Sequence, residues 1–247
     1  MKVAVVTPYY KEAPQILRRC IESVRAQTHP HVQHYMVADG HPQPELLAQY
    51  PEVASAVLPA ANADFGDTPR AIGALCALSA GADVVCFLDA DNLYAPEHVA
   101  SLVAVYERGR ASGTPYDAVF AYRQLFFPDH PEQRYKDAED LDHRHVDTNC
   151  VSLARSAAFL WPGFGLIPKS MAPIGDRVFF KLVKHHRLNI AWTGRHTVLY
   201  ESNWAAHYLR AGLPVPATAQ RGGHSEKVRE TFSEQEFYEH LRVRTRK

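Results

Sequence analysis

The sequence has no long hydrophobic run and no excess of either charge. No stretch approaches the roughly 18 consecutive apolar residues that a membrane-spanning helix needs. Lysine plus arginine and aspartate plus glutamate each number 27, so no overall field would draw the protein to nucleic acid or to an anionic lipid surface. These absences argue against a membrane-spanning protein and against a general nucleic-acid binder.

Cysteine is scarce, and the cysteines that are present do not form metal-type pairs. Cys20, Cys76, Cys86 and Cys150 are widely spaced, and three of them lie in apolar runs, as buried free thiols do. The opening segment MKVAVVTPYYKE turns polar after six residues, too early for the apolar core of a signal peptide. The sequence therefore predicts a reducing, cytoplasmic location.

A glycine-rich phosphate loop is also missing. Pro8, Tyr9 and Tyr10 follow the first apolar run, where a dinucleotide-binding fingerprint would need glycines, and no Walker-type loop occurs elsewhere. A nucleotide bound to this chain would therefore be held chiefly through its base and ribose. A metal ion would neutralise its phosphates.

What the sequence does contain is an alternation of strand-like and helix-like segments. The expected strands are residues 2–7, 32–40, 52–59 and 83–91, and the expected helices are residues 12–27, 68–82 and 96–110. Thr68 is the expected cap of the second helix, with Pro69 at its first position. The β-α-β order predicts an α/β single domain with a mostly parallel central sheet and helices on both faces.

The second half is less regular. We expect a strand at residues 117–127, an exposed loop at 128–145, a strand followed by a helix at 148–161, a helix at 175–187 and an edge strand at 188–193. The catalytic domain is expected to span residues 1–218, with halves at 1–123 and 124–218. Residues 219–247 read as a polar tail with a short helix, which Ser233 and Glu236 would begin as a capping box.

Three polar clusters follow predicted strands: TPYYKE, ADGHPQ and DADN. Ligands bind at the carboxyl ends of the strands in an open parallel sheet, so we expect the three clusters to line one crevice. Asp89 and Asp91 supply hard oxygen ligands there, which suit Mg²⁺ or Mn²⁺ better than zinc. The alternative is that Asp91 or Asn92 only caps the helix that follows.

The residues that carry these features resemble a known family. VAVVTPYYKE, LRRCIESVRAQTHPHVQHYMVADG, TPRAIG and VVCFLDADN occur in the order and spacing of the family 2 glycosyltransferases of the GT-A fold. The resemblance covers about residues 1–105 and is weaker beyond them. It implies a hexosyltransferase-like enzyme that uses a nucleotide-diphospho-sugar, most simply a UDP-linked one, and a divalent cation.

The resemblance also implies roles for individual residues. The nucleotide pocket would be lined by Thr7, Pro8, Tyr10 and Glu12. Asp39 matches the acid that recognises the base, and Arg70 matches the basic residue near the base and the diphosphate. Asp89 matches the acid near the ribose and the donor sugar, with Ala90 beside it, and Asp91 matches the metal ligand.

Two positions depart from the family pattern. Members usually carry Arg-Asn where this chain has Arg70-Ala71, and the spacing from Gly66 to Arg70 is one residue shorter than usual. Members also usually carry Glu where this chain has Gly175. These departures bear on the contacts with the donor sugar and on the acids near the acceptor.

The acceptor half offers a catalytic base and a further metal ligand. Asp176, in PIGDRVFF, matches the acid that the family places before an amphipathic helix, and it would remove the proton of an acceptor hydroxyl in an inverting transfer. The alternative is a helix N-cap. His207 would add a metal ligand, although a histidine on a half-buried helix is more often structural.

The sequence therefore predicts a metal-dependent, inverting glycosyltransferase that acts on a saccharide or lipid-linked saccharide hydroxyl. The rivals are a sugar-phosphate nucleotidyltransferase and a nucleotide-sugar-binding protein of the same fold that has lost its chemistry. Arg242, Arg244, Arg246 and Lys247 leave peripheral contact with a membrane surface open, although such a tail more often has no specific role.

Overall fold

The computed structural model describes residues 1–137 and 146–222. Its strands are β1 (Val3–Tyr9), β2 (Val32–Ala38), β3 (Ala54–Val57), β4 (Val84–Phe87), β5 (Leu93–Tyr94), β6 (Ala118–Phe127), β7 (His130–Lys136), β8 (Val151–Ala154) and β9 (Ile190–Glu201). Its helices are α1 (Pro14–Arg25), α2 (Pro44–Leu47), α3 (Asp67–Ser79), α4 (His98–Ala111), α5 (Gly175–His185) and α6 (Ala205–Arg210). Short 3₁₀ helices occupy Thr148–Cys150, Arg155–Leu160, Gly163–Leu166 and Lys169–Ile174.

The strands described form one sheet in the order β3-β2-β1-β4-β8-β6-β9-β5, with β7 paired to β6. The first four strands of that order are joined in parallel, whereas β8 runs antiparallel to both β4 and β6. Strand β9 returns to a parallel pairing with β6. The predicted α/β class is confirmed, and the parallel part of the sheet directs its carboxyl ends toward one edge.

Helices cover both faces of this sheet. Successive residues of a strand point to opposite sides, so neighbouring residues of β1 contact different helices. Val6 of β1 meets α3 so closely that a Cβ at Gly73 would lie 2.4 Å from its Cγ1 atom. The next residue, Thr7, points the other way and contacts Cys20 of α1, with 3.9 Å between Oγ1 and Sγ. Helix α1 buries Leu17, Cys20, Ile21 and Val24 on the face that meets the sheet.

One expectation for the secondary structure was wrong. Residues 130–136 form strand β7 antiparallel to β6, although their polar composition predicted a loop. Long-range pairing decides the structure there, and the local pattern does not show it. The segment after β8 is helical as expected, and the helix is of the 3₁₀ type. Among the described strands, residues 190–192 of β9 pair only with β6, as expected of an edge, while β5 pairs with β9 further along, at Val198 and Leu199.

The start of α3 also differs from the expectation. Gly66, with φ of 85°, precedes the first residue Asp67, so Thr68 lies inside the first turn and is not the cap. The carboxylate of Asp64 accepts a hydrogen bond from the Thr68 amide at 3.0 Å, which satisfies one of the free N–H groups of that turn. The cap is therefore supplied by Asp64, three residues before the first residue of the helix.

Several sequence expectations fall outside the described residues. They are the second part of the charged segment, residues 138–145, and the tail from residue 223 onward, with its expected helix and its arginines. Within the part of the chain that is described, no helix is both long and apolar enough to cross a bilayer.

Candidate active site

A cavity of about 1050 Å³ opens at the carboxyl ends of β1, β2 and β4. The three polar clusters that follow those strands contribute to its wall, as the parallel arrangement predicted. Helix α6, the start of α5 and the loop before α3 form the other sides. Of the residues predicted to form the site, those lining the cavity are Pro8, Tyr10, Glu12, Asp39, Arg70, Asp89, Ala90, Asp91, Asp176 and His207.

Thr7 is the exception, because it does not line the cavity. Its side chain is fully buried, and its hydroxyl lies 2.9 Å from Nε2 of His34. The alternation along β1 explains the difference, since Val6 and Pro8 face one side of the sheet and Thr7 faces the other. Thr7 is therefore a residue of the packing between β1 and α1.

Asp89 is held on both sides by buried partners. Its Oδ1 accepts a hydrogen bond from Nη2 of Arg70 at 2.5 Å, and its Oδ2 accepts one from Nδ2 of Asn149 at 3.0 Å. The amide oxygen of Asn149 in turn accepts the backbone N–H of Asp89 at 2.6 Å. Both carboxylate oxygens are thus oriented before any ligand binds.

Asp91 has a more open carboxylate than Asp89. The residue is exposed to the cavity, yet it lies where the surrounding protein limits hydration of the charged form. This loss of hydration, together with the negative charges of Asp89 and Glu201, raises the pKa of Asp91 to about 7. Arg19 ties the region together by an ion pair with Glu201 at 2.5 Å and a hydrogen bond to the backbone oxygen of Asp91 at 3.1 Å.

The idea that these residues only cap the next helix is wrong. Helix α4 begins at His98, and its N-cap residue Glu97 makes no capping hydrogen bond through its side chain. Asn92 instead accepts the backbone N–H of Glu201 at 2.8 Å, which fixes the turn after β4 against β9. Asp91 is therefore not needed to start a helix.

Asp39 is buried at the end of β2 and already has a partner. The backbone N–H of Asn62 donates to its two oxygens at 3.0 and 3.1 Å, and the side-chain amide of Asn62 donates to Oδ1 at 2.7 Å. The backbone oxygen of Asn62 accepts a hydrogen bond from Nζ of Lys169 at 2.6 Å. The loop between β3 and α3 thus joins Asp39 to the segment that precedes α5.

Asp67, which the sequence did not single out, lies between Arg70 and the start of α5. Its Oδ1 pairs with Nη1 of Arg70 at 3.0 Å, while Oδ2 is buried without a hydrogen-bond partner. A Cβ at Gly175 would lie 3.2 Å from both oxygens, so Asp67 occupies the space beside that glycine. Burial raises the pKa of Asp67 to about 8 against the opposing effect of Arg70, and Asp64 and Asp176 add to the rise.

Asp176 lies in the first turn of α5, one residue after Gly175. The N-cap position belongs to Ile174, so Asp176 is not the N-cap residue. Its Oδ1 accepts the N–H of Arg177 at 2.7 Å. The carboxylate lines the cavity and is half-buried there.

His207 lines the same cavity from α6. The residue is buried, and its Nδ1 lies 2.7 Å from the hydroxyl of Ser202. Among the residues described, no three His, Cys, Asp or Glu side chains are placed to hold one metal ion together. The predicted set of Asp89, Asp91 and His207 is therefore not assembled as a three-ligand site.

A buried polar network that reaches the cavity wall at Arg123 and Asp147 was also missed by the sequence analysis. Arg123 pairs with Asp137 at 2.6 Å and with Asp147 at 2.5 Å, and Asp147 accepts hydrogen bonds from the backbone and the side chain of Asn149 at 2.9 and 2.7 Å. Through Asn149 the network reaches Asp89. In the sequence Arg123, Asp137 and Asp147 are separate charged residues, and only the fold shows that they meet.

Comparison with known proteins agrees with the resemblance seen in the sequence. The family model described as glycosyl transferase family 2 matches residues 4–161, more than half of the chain. The succinoglycan biosynthesis protein ExoW of Rhizobium meliloti (strain 1021) is 38% identical over 103 residues, which are 40% of this chain and 32% of ExoW. This chain thus aligns with about a third of that relative.

Solved structures show the same fold. S. aureus TarS 1-349 in complex with UDP superposes with a TM-score of 0.62 at 13% identity, over 81% of this chain and 60% of that one. A complex of the same protein with UDP-GlcNAc gives 0.63 at 13% identity, over 98% and 65%. The mannosyltransferase PcManGT from Pyrobaculum calidifontis, in complex with GDP-Man and Mn²⁺, gives 0.55 at 16% identity, over 81% and 56%.

Proposed function

The chain belongs to glycosyl transferase family 2 and has the GT-A fold, and on that premise we propose that it transfers a sugar from a nucleotide-diphospho-sugar to an acceptor hydroxyl. The reaction depends on a divalent cation and inverts the anomeric centre. The observation that carries the proposal is that Asp89, Asp91 and Asp176 line one cavity although they come from distant parts of the chain.

The donor end of the cavity is the part lined by Asp39, Arg70 and Asp89. We assign Asp39 to the base, and Asp89 with Arg70 to the ribose, the diphosphate and the donor sugar. TarS is described with UDP and with UDP-GlcNAc, and PcManGT with GDP-Man, which supports a nucleotide-sugar donor for a protein of this fold. We propose a UDP-linked donor because Asp39 matches the family's acid that usually recognises uracil.

The cation would be held by Asp91 with Asp89 beside it. Their carboxylate oxygens are hard ligands, and one or two carboxylates with phosphate oxygens and water are the set that Mg²⁺ prefers in nucleotide sites. The raised pKa of Asp91 fits this role, since limited hydration and neighbouring negative charges leave a carboxylate that a cation would stabilise. When bound, the cation supplies charge stabilisation to the leaving diphosphate.

The chemical step is a single displacement in which Asp176 is the general base. The acceptor hydroxyl attacks the anomeric carbon on the side opposite the diphosphate and gives its proton to the Asp176 carboxylate. The new carbon–oxygen bond forms as the bond to the diphosphate breaks, and the leaving oxygen takes the electron pair. General base catalysis of this kind contributes about 10²- to 10⁴-fold to the rate.

The acceptor is a saccharide hydroxyl in this proposal. ExoW is named as a protein of succinoglycan biosynthesis, which supports a place in the assembly of a polysaccharide or glycoconjugate. His207 would orient the acceptor side of the cavity, since it lines the cavity with its Nδ1 fixed by Ser202.

Two rival functions are weaker. A sugar-phosphate nucleotidyltransferase needs a glycine-rich, arginine-containing loop after the first strand, and β1 here runs on through Pro8 to Tyr9. A protein that only binds nucleotide-sugars is favoured by the departures at Ala71 and Gly175. Asp67 nevertheless places a carboxylate beside Gly175, so the acceptor end still has two acids.

A thermal-shift panel tests the proposal. UDP, UDP-glucose, UDP-GlcNAc, GDP and GDP-mannose are each added with Mn²⁺, with Mg²⁺ or with EDTA. A nucleotide at 100 times its Kd stabilises the native state by about 2.7 kcal/mol, so binding raises the melting temperature. We expect metal-dependent stabilisation by one nucleotide class. In a separate turnover assay we expect the matching nucleotide-sugar to release its nucleoside diphosphate. Equal melting temperatures across the whole panel would contradict the proposal.

A further inference from the structure

Phe65 is a large aromatic residue that the fold leaves in the open. Its relative exposure is 67%, and it is one of the residues that line the cavity. Folding normally removes a phenylalanine ring from water, because burial of its apolar area is favourable. A ring left exposed inside a ligand-sized cavity therefore suggests a contact with a ligand.

The backbone around Phe65 is held in an unusual conformation. Phe65 has φ of 57°, Ala63 has φ of 52° and Gly66 has φ of 85°. The left-handed region is unfavourable for residues with a Cβ, and such outliers concentrate where a ligand is bound. Two non-glycine residues in this region within one short loop show that the loop shape is imposed by its surroundings.

Contacts on both sides impose that shape. The carbonyl of Phe65 accepts a hydrogen bond from Nη1 of Arg70 at 3.3 Å. Gly66 lies so close to Pro8 that a Cβ there would come within 3.0 Å of the proline Cγ. The backbone of Phe65 is thus fixed between α3 and β1, while its side chain projects away from the core.

The same loop carries the group that binds Asp39. Asn62, three residues before Phe65, donates to Asp39 through both its backbone and its side chain. On the other side, β1 leads from Pro8 to Tyr10, whose ring is 40% exposed and lines the same cavity. Phe65 therefore lies in the loop that holds Asp39, and it lines the same cavity as Asp39 and Tyr10.

We propose that Phe65 is a stacking residue for the base of the bound nucleoside diphosphate, a contact that rests on the proposed function and adds a residue to it. A planar base presents a π-face that an aromatic ring can cover, and this contact supplies affinity without reading hydrogen-bond groups. Asp39 then selects the base by its edge, and Phe65 holds it by its face.

The test compares two ligands that differ in the base. Affinities for UDP and for inorganic diphosphate, each with Mn²⁺, are measured by calorimetry for the wild type, Phe65→Ala and Phe65→Trp. Phe159→Ala is the matched control, because Phe159 is 56% exposed and is not among the residues lining the cavity. If UDP does not stabilise the wild type in the thermal-shift panel, the nucleoside diphosphate that does replaces it.

We expect Phe65→Ala to weaken UDP binding by about 5- to 150-fold, the range that base-on-aromatic stacking gives, and to leave diphosphate binding unchanged. Phe65→Trp should bind UDP like the wild type, and so should Phe159→Ala. Unchanged UDP affinity in Phe65→Ala would overturn this inference and leave the proposed function standing. Equal losses for UDP and diphosphate would overturn it in favour of a structural role through Arg70. A wild type that binds no nucleoside diphosphate would overturn the proposed function as well.

Discussion

The side-chain amide of Asn149 forms two hydrogen bonds with Asp89, one with its backbone N–H and one with its carboxylate. Its Oδ1 accepts the Asp89 N–H at 2.6 Å, and its Nδ2 donates to Asp89 Oδ2 at 3.0 Å. Asn149 is completely buried, and its Nδ2 also donates to Asp147 at 2.7 Å. The amide therefore sets the orientation of the carboxylate that, in our account, faces the donor.

Asn149→Ala should lower both stability and nucleotide affinity. The substitution removes the partners of the Asp89 backbone N–H and of Asp89 Oδ2, which costs about 1–3 kcal/mol in the free energy of unfolding. Loss of a residue that orients a ligand-binding group commonly weakens binding by about 10- to 100-fold. Urea unfolding and calorimetry with UDP and Mn²⁺ measure the two effects.

Ser152→Ala is the control for that prediction. Ser152 is also completely buried, and its hydroxyl pairs with Tyr106 at 3.0 Å away from the cavity. It should lose stability in the same range and keep its UDP affinity. If the two variants lost affinity equally, general loosening of the fold would explain the result, and the specific role of Asn149 would be contradicted.

The contrast between Asp89 and Asn149 shows what a sequence can reveal about such a site. Asp89 and Asp91 follow a continuous apolar run, so their place at the carboxyl end of a strand was predictable. Asn149 meets Asp89 only because β8 inserts antiparallel between β4 and β6. That pairing joins residues about 60 positions apart in the chain, and no local period announces it.

Other differences have physical causes of the same kind. The alternation along β1 could have shown that Thr7 and Pro8 face opposite sides, since the period of a strand is two. The pairing of the later part of β9 with β5 could not have been seen, because β5 has only two residues and carries no pattern of its own. The role of Asp67 could not be predicted for a further reason. Its carboxyl group occupies the space beside Gly175, which is far away in the chain.

Asp91→Asn should abolish the metal dependence of nucleotide binding. The amide keeps the size of the side chain but removes its negative charge, which a hard cation needs. We expect UDP affinity in Mn²⁺ to fall by about tenfold or more, equivalent to about 1.4 kcal/mol, toward the value that the wild type shows in EDTA.

The control for Asp91→Asn is Glu107→Gln, a charge removal on the exposed side of α4. It should keep the wild-type affinity and the wild-type response to EDTA. A Mn²⁺-dependent UDP affinity that survived in Asp91→Asn would contradict the metal assignment. Calorimetric titration of both variants at pH 8 keeps the Asp91 carboxyl of the wild type largely ionised, since its pKa is about 7.

His98 should make the fold sensitive to acid. It is 1% exposed, its ring stacks on Tyr94 at 3.8 Å, and burial lowers its pKa to about 3 from its usual 6.5. The unfolded chain then binds a proton below pH 6.5 that the folded chain refuses, so stability is present above 6.5 and is lost as the pH falls toward 3. From pH 7.5 to 5 the loss is about 2 kcal/mol for this residue.

His98→Asn removes that proton site and leaves an atom near the Thr197 hydroxyl, which lies 2.8 Å from Nδ1 in the native protein. The variant should be less stable than the wild type at pH 7.5, but it should lose about 2 kcal/mol less on going to pH 5. His34, also buried with a pKa lowered to about 3, remains in both proteins, so both still lose some unfolding free energy as the pH falls. Urea unfolding at the two pH values measures the loss of unfolding free energy in each protein. Equal losses in the wild type and in His98→Asn would contradict the prediction.

The central claim is that Asp176 removes the acceptor proton in a cavity where the donor is bound by other residues. The most direct measurement is the rate of nucleoside diphosphate release from the stabilising nucleotide-sugar, with water as acceptor, for the wild type and Asp176→Asn. UDP affinity is measured on the same samples. The account predicts equal UDP affinity and a rate about 10²- to 10⁴-fold lower in the variant. A variant that releases diphosphate as fast as the wild type would contradict it.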